Sequence, residues 1–364
     1  MNPSQSNSNL ASTSSASNRL IDAWYQKRWW LWLLSPLSLL FYLLTTARRL
    51  FLLSPLVKKN QFSVPIIVVG NISVGGTGKT PLIIALCEHL KKQGYRPGVI
   101  SRGYGSAAPC YPFVVDQESS VEESGDEPLM IAIATQCPVV IDRNRCAAAK
   151  KIIETCDVNI VLSDDGLQHY RLARDIEIVV VDGARGFGNG LVLPAGPLRE
   201  TANRLKRVDF VVANQSSVIP CNIDSRQLSA ENKFTAMKII PEYWCHLNAS
   251  HRKISISSDL FSGENVHAVS GIGNPKRFYS TLDTLGINYQ PHSFPDHHQY
   301  INDDFRFDDD NKPILMTEKD AVKVRGIISD SKNNYWYLAV KAELDLSFLS
   351  QLQENLSHLS RTKK

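Results

Sequence analysis

Residues 73–80 read Ser-Val-Gly-Gly-Thr-Gly-Lys-Thr, a run whose residue types suit one task, holding phosphate. Gly75, Gly76 and Gly78 let backbone N–H groups come close to phosphate oxygens. Lys79 supplies a point charge to the β- and γ-phosphates, and the Thr80 hydroxyl is placed for Mg²⁺. Ser73, Val74 and Thr77 complete the loop, and Ser73 stands where the strict G-x-x-x-x-G-K-T pattern has its first glycine. The context is the required one, an apolar run at 66–69 before the loop and helical periodicity over 82–92 after it. ATP and Mg²⁺ are therefore the expected ligands.

A phosphate loop of this kind works with a metal-binding carboxylate at the end of another apolar strand. Two runs qualify, VNIVLSDDG ending in Asp164 and Asp165, and IEIVVVDG ending in Asp182. Asp164 is preferred because Gln168 and His169 follow it and cluster polar groups at a strand's carboxyl end, where open α/β sheets bind ligands. Asp182 serves equally well as a turn or helix cap. A third acidic pair, Asp126 and Glu127, lies in SGDEP, where Gly125 and Pro128 predict a turn that can project side chains into a cleft.

The elements that must carry these residues alternate. Apolar, β-branched runs at 65–69, 98–101, 138–141, 158–162, 176–181 and 208–213 are separated by helix-length segments, which predicts a parallel sheet covered on both faces. A Ser-, Pro- and Asn-rich stretch at 216–228 reads as a linker. Beyond it a second alternation begins, with strands expected at 266–270, 313–317 and 335–340 and helices at 275–285 and 345–359. The 364 residues thus divide into a tail (1–20), an N-terminal helical segment (21–60), a P-loop domain (61–220) and a smaller α/β domain (221–364).

Apolar content of 43% and charged content of 21% are those of a globular protein rather than a disordered or polytopic membrane chain. A net charge of +4 lacks the basic excess that nucleic-acid binding demands, so no nucleic-acid partner is expected. The 7 cysteines (Cys87, Cys110, Cys137, Cys146, Cys156, Cys221 and Cys245) include no C-x-x-C pair and read as reduced thiols of a cytosolic body.

The first residues, SQSNSNLASTSSASN, are polar and of low complexity, and predict a disordered tail. Residues 29–47 are uncharged and apolar, with Trp29, Trp30, Trp32, Phe41 and Tyr42. The length just reaches the ~20 residues that cross a bilayer. Lys27 and Arg28 before the run and Arg48, Arg49, Lys58 and Lys59 after it make both flanks basic, which favours a helix lying in the membrane interface over a spanning one. A buried packing helix is the alternative.

Read together, SVGGTGKTP, SRGYG, GDEP, DDGLQH, LPAGPLRE, GIGNPKRF, FPDHH and MTEKDAVK resemble, in order, the motifs of the tetraacyldisaccharide 4'-kinase family, the lipid A 4'-kinases. The resemblance implies two α/β/α lobes, an N-terminal helix at the cytoplasmic face of the bacterial inner membrane, and transfer of the ATP γ-phosphoryl group to the 4'-hydroxyl of an acylated glucosamine disaccharide 1-phosphate. Asp126 matches the family's catalytic base and His297 the histidine paired with it. Thr80 and Asp164 match positions near the metal, with Glu127 an addition. Arg102 and Arg199 are candidates to neutralise phosphate charge. A switch-type P-loop ATPase is the competing class, but its signature lysine before the paired glycines is here Val74. A soluble small-molecule kinase, the third reading, leaves the Trp-rich segment without a purpose.

Overall fold

The computed structural model describes residues 19–215, 233–247, 253–256, 259–261, 263–307, 312–328 and 334–362. The linker expected at 216–228 and nearly all of the expected tail lie outside these residues.

Helix α1 (Ser35–Leu53) follows a 3₁₀ segment, Trp29–Leu34. Pro36 falls in the first turn of α1, where a missing N–H costs nothing, so the proline starts the helix instead of breaking it. Ser38 docks α1 on the body, donating to Val192 O at 2.9 Å and accepting from Ala195 N at 2.9 Å. Arg49 adds a second tie, 3.9 Å from Glu200 Oε2, while Leu39, Leu40, Leu43, Leu44, Leu50 and Phe51 are all exposed. So α1 is not a buried packing helix.

The described residues form thirteen strands in one sheet. The first eight are β1 (Ile66–Gly70), β2 (Pro97–Ser101), β3 (Phe113–Val115), β4 (Val139–Ile141), β5 (Ile160–Asp164), β6 (Ile176–Asp182), β7 (Phe210–Asn214) and β8 (Lys233–His246). They are followed by β9 (Lys253–Ser255), β10 (Asn265–Ser270), β11 (Asn288–Ser293), β12 (Ile314–Thr317) and β13 (Tyr335–Leu344). The order is β11-β10-β12-β13-β8-β7-β6-β1-β5-β2-β4-β3, with β9 on β8. Strand β1 is central, parallel to β5 on one side and β6 on the other, and β7 continues the parallel set. The carboxyl ends of these strands therefore share one edge, where ligands bind in such sheets. The antiparallel pairing of β8 with β13 reverses the direction of the second lobe's strands.

Both faces of the first lobe are covered, as near-continuous apolar strands require. On one face α2 (Lys79–Lys92) and α3 (Asp126–Thr135) bury Leu82, Ile83, Leu86 and Leu90 with Leu129 and Ile131. On the other, α4 (Arg145–Thr155) packs Ala148, Ala149 and Ile152 against Val68, Ile100 and Val161. In the second lobe α5 (Pro275–Thr284) buries Phe278 and Leu282, and α6 (Glu318–Val324) follows β12 directly. The last helix, α7 (Leu346–Thr362), returns to the first lobe: Phe348, Leu352 and Leu356 join the α2/α3 core, and Phe348 meets Phe210 edge to face at 5.1 Å.

Candidate active site

The phosphate loop joins β1 to α2 and is held from beneath by two buried asparagines. Asn71 Nδ2 donates to Gly75 O at 3.2 Å, and Asn214 Nδ2, at the end of β7, donates to Thr77 O at 2.8 Å. Gly78 has φ 96°, and a Cβ there would stand 2.3 Å from Asn214 Nδ2, so both conformation and space demand glycine. Gly75, at φ 106°, and Gly76 face the other way: a Cβ on either would meet nothing within 4 Å. That open cradle at the N-terminus of α2 fits a polyphosphate. Lys79 opens α2, with Nζ 3.7 Å from Asp165 Oδ1, and Thr80 follows it.

Asp164 closes β5 and is buried; Ser101 Oγ donates to its Oδ2 at 3.0 Å, while Oδ1 has no hydrogen-bond partner among the described residues. Burial, with the charges of Glu127 and Asp165 nearby, pushes its pKa up to about 6 against the pull of Lys79 and Arg145. An unpartnered buried oxygen in negative surroundings fits a cation. No group of three or more His, Cys, Asp or Glu forms a metal cage among the described residues. Mg²⁺ in ATP sites takes only one or two carboxylates, with phosphates and water completing its shell, so the donor set suits it. Asp182 is fully engaged otherwise. Its Oδ1 accepts from the N–H groups of Ala184 and Arg185, both at 3.0 Å, and its Oδ2 from Arg185 Nε at 3.0 Å and Arg277 Nη2 at 3.2 Å. It is a turn cap that also ties α5 to the first lobe, and Arg185 Nη2 reaches on to Gly76 O at 3.2 Å.

Asp165 has φ 48°, outside the usual range for a residue with a side chain. Burial would raise its pKa, but Lys79 and Arg199, whose Nη1 lies 3.0 Å from Oδ2, hold it below the usual value. Asp165 thus links Arg199 to Lys79 of the phosphate loop.

The SGDEP pair does not form the expected turn. A single helical turn, Val121–Ser124, ends at Gly125 (φ 81°), and Asp126 opens α3. Two carboxylates in a first turn favour the helix dipole, and the local sequence thereby starts a helix here. Asp126 is buried and its Oδ2 lies 2.9 Å from His297 Nδ1, 171 positions away in the second lobe. His297 sits at φ 60° with its ring 5.1 Å from that of Tyr104. A left-handed conformation at such a residue costs on the order of 1–3 kcal/mol and is kept where the surroundings impose it. Burial acts to raise the Asp126 pKa; the His297 hydrogen bond and the Lys319 charge outweigh it and hold the carboxyl well below the usual range. The same hydrogen bond raises the His297 pKa against burial and Lys319.

Lys319, on α6, has no role assigned from sequence although it stands inside MTEKDAVK. Its Nζ lies 3.5 Å from Asp126 Oδ2, 3.2 Å from Glu127 Oε1 and 3.1 Å from Asp296 Oδ1. The lobes also meet at the phosphate loop, where a Cβ on Gly273 would stand 3.6 Å from Gly76 N and 3.2 Å from Asp296 Oδ2. Long-range contacts of this kind leave no periodic signal; Lys319 and Arg277 stand inside the motifs MTEKDAVK and GIGNPKRF, and Arg185 lies in none of the motifs.

The remaining expected residues divide. Arg102 is exposed just past β2, with no hydrogen bond or ion pair among the described residues, and its charge is felt by Arg145 and His169. Gln168 is drawn away from the loop, its Nε2 donating to Glu200 Oε1 at 2.8 Å. His169 lines a cavity of about 270 Å³ with Arg48, Arg145 and Arg171. Burial and the charges of Arg145, Arg174, Arg102 and Arg48 lower its pKa to about 4. The unfolded chain protonates this histidine near its ordinary 6.5 and the folded one does not until about 4, so its contribution to stability is complete above pH 6.5 and is lost as pH falls toward 4. Substituting His169→Gln is expected to flatten the fall in Tm across that window by a few degrees in thermal melts at stepped pH.

The comparisons with known proteins agree with this geometry. A model of the tetraacyldisaccharide-1-P 4'-kinase family matches residues 30–357. The tetraacyldisaccharide 4'-kinase of Hahella chejuensis is 43% identical over 352 residues, covering 94% of this chain and 99% of the relative. That of Legionella pneumophila (strain Corby) is 45% identical over 325 residues, covering 89% and 93%. The solved structure of LpxK from Aquifex aeolicus in complex with ATP is similar with a TM-score of 0.73 at 28% identity, covering 90% of this chain and 98% of that one. A phosphate loop, a buried carboxylate suited to Mg²⁺ and an acid–histidine pair joined across two lobes are thus features of a chain that belongs to the tetraacyldisaccharide 1-phosphate 4'-kinase family.

Proposed function

We propose that this kinase transfers the γ-phosphoryl group of ATP to the 4'-hydroxyl of a tetraacyldisaccharide 1-phosphate with Asp126 as the general base. The observation that carries this reading is the 2.9 Å bond between Asp126 and His297, one from each lobe, beside the phosphate loop. Asp126 Oδ2 is occupied by His297, and among the described residues Oδ1 accepts only from Glu127 N at 2.9 Å. Oδ1 therefore keeps a lone pair for the proton of the acceptor hydroxyl. As that proton moves, the acceptor oxygen bonds to the γ-phosphorus, the bond to the β-phosphate oxygen breaks, and ADP leaves. Lys79 and the loop amides hold the phosphates, and Arg199, with Arg102 at the rim, disperses charge on the transferring group. Thr80, Asp164 and Glu127 would hold Mg²⁺, which when bound neutralises charge on the β- and γ-phosphates. His169 and Gln168 shape the acceptor side. Docking of the lobes excludes water, which would otherwise take the phosphoryl group.

The acceptor carries acyl chains, each CH₂ worth ~0.8 kcal/mol in the bilayer, so the enzyme must work at the membrane surface. The helical segment Trp29–Leu53 is long and apolar enough to cross a membrane. Trp29 and Trp32 stand exposed beside the basic flanks, which supports an interfacial seat on the cytoplasmic side, where ATP is. Deleting residues 1–47 is expected to weaken binding to liposomes and to raise the apparent KM for lipid more than that for ATP; unchanged partitioning would remove the membrane role.

The test of function is incubation of purified protein with γ-labelled ATP and the disaccharide lipid. Label is expected in the lipid, and ATP hydrolysis with no lipid product would favour the switch-type ATPase.

A further inference from the structure

Among the described residues, Lys319 is the second-lobe lysine that pairs with the base, its Nζ 3.5 Å from Asp126 Oδ2, and its surroundings are unusual. It is largely buried, it opens a helix, and it faces three carboxylates, those of Asp126 and Glu127 on α3 and of Asp296 next to His297. The demand for such a cation is physical. Asp126 must be ionised to accept a proton, yet it is buried, and a buried carboxylate without a counter-charge is strongly disfavoured. His297 meets part of that demand through one hydrogen bond on Oδ2. Glu127, the next residue after Asp126, lies 3.2 Å from the Lys319 ammonium and adds a second carboxylate at this point.

We propose that Lys319 is a positioning residue for phosphoryl transfer, the second-lobe cation that seats Asp126 with its Oδ1 lone pair toward the acceptor and fastens the second lobe over the phosphate loop. The ammonium lies on the Oδ2 side of Asp126, the side already taken by His297, and so leaves Oδ1 for the acceptor. Through Asp296 it also fixes the segment that bears His297, whose left-handed backbone needs support. Among the described residues Lys319 makes no ion pair with the phosphate loop, its partners being Asp126, Glu127 and Asp296, so nucleotide affinity is expected to depend on it far less than kcat does. The inference rests on the assignment of Asp126 as base.

The experiment compares Lys319→Met, Lys319→Ala and Lys319→Arg with Asp126→Asn in the full-length enzyme, measuring kcat, KM for both substrates, ATP affinity at equilibrium and thermal melting. Lys319→Met is expected to lose about 10²-fold in kcat, the scale of a misplaced catalytic group, while ATP affinity stays within about twofold. Lys319→Arg should recover at least tenfold of that loss, and added ethylammonium should partly restore Lys319→Ala. A structural lysine would give none of this rescue. If Lys319→Met fails to fold, the arginine variant and the amine rescue decide. A kcat within about twofold of the parent in a folded Lys319→Met, or no rescue by charge, overturns the proposal. Full activity in Asp126→Asn overturns the base assignment instead.

Discussion

Replacing either Asp126 or His297 with alanine is expected to lower kcat by a similar factor, on the order of 10²–10⁴, and replacing both to cost little more than the worse single change. The structural ground is that one hydrogen bond of 2.9 Å joins them and each sets the protonation of the other. Without His297 the carboxylate remains but is no longer held at the acceptor; without Asp126 the imidazole has nothing to orient. Neither side chain belongs to the phosphate loop, so ATP binding survives in all three proteins. Single-turnover kinetics on the two single variants and the double variant close the cycle. Fully additive losses would show two independent residues and dissolve the pair.

The other large effect is at Lys79. Its removal leaves the cradle of Gly75, Gly76 and Gly78 in place but takes away the charge proposed to face the β- and γ-phosphates, and Asp165, 3.7 Å away, loses one of its two close cations. Lys79→Ala is expected to cost on the order of 10²–10³ in kcat with the fold retained. Lys79→Arg recovers little, because a planar fork does not replace a compact ammonium in so close a space. Normal turnover in Lys79→Ala, with circular dichroism unchanged, would remove the phosphate-loop assignment.

The nucleotide half of the site was legible because it is local. Glycines, lysine and threonine within eight positions behind an apolar strand specify their own geometry, and the expected strand at 65–69 appears as Ile66–Gly70. The preference for Asp164 over Asp182 rests on the polar residues after it; no sequence signal shows that Asp182 has both oxygens engaged while Asp164 Oδ1 has no hydrogen-bond partner among the described residues, the observation behind proposing Asp164 for the metal. Strand β11 escaped notice because Asn288–Ser293 is polar, half exposed and interrupted by Pro291, as an edge strand can be. Strand β8 carries Pro241 inside an irregular pattern and shows no clean alternation. The Lys319 cluster was invisible for another reason. Three carboxylates and an amine drawn from positions 126, 127, 296 and 319 meet only once both lobes exist.

Phe348, Leu352 and Leu356 complete the apolar core under the phosphate loop from the far end of the chain. During synthesis the order of events is thereby fixed. The tryptophan-bearing segment precedes the nucleotide lobe, and that lobe's apolar core is incomplete until α7 has followed, so the lobe cannot bury this core fully from its own residues alone. A nascent chain of this kind carries two uncovered apolar surfaces through much of its synthesis, one proposed to meet lipid and one that α7 covers. Early capture of the first by the bilayer would keep the two from finding each other.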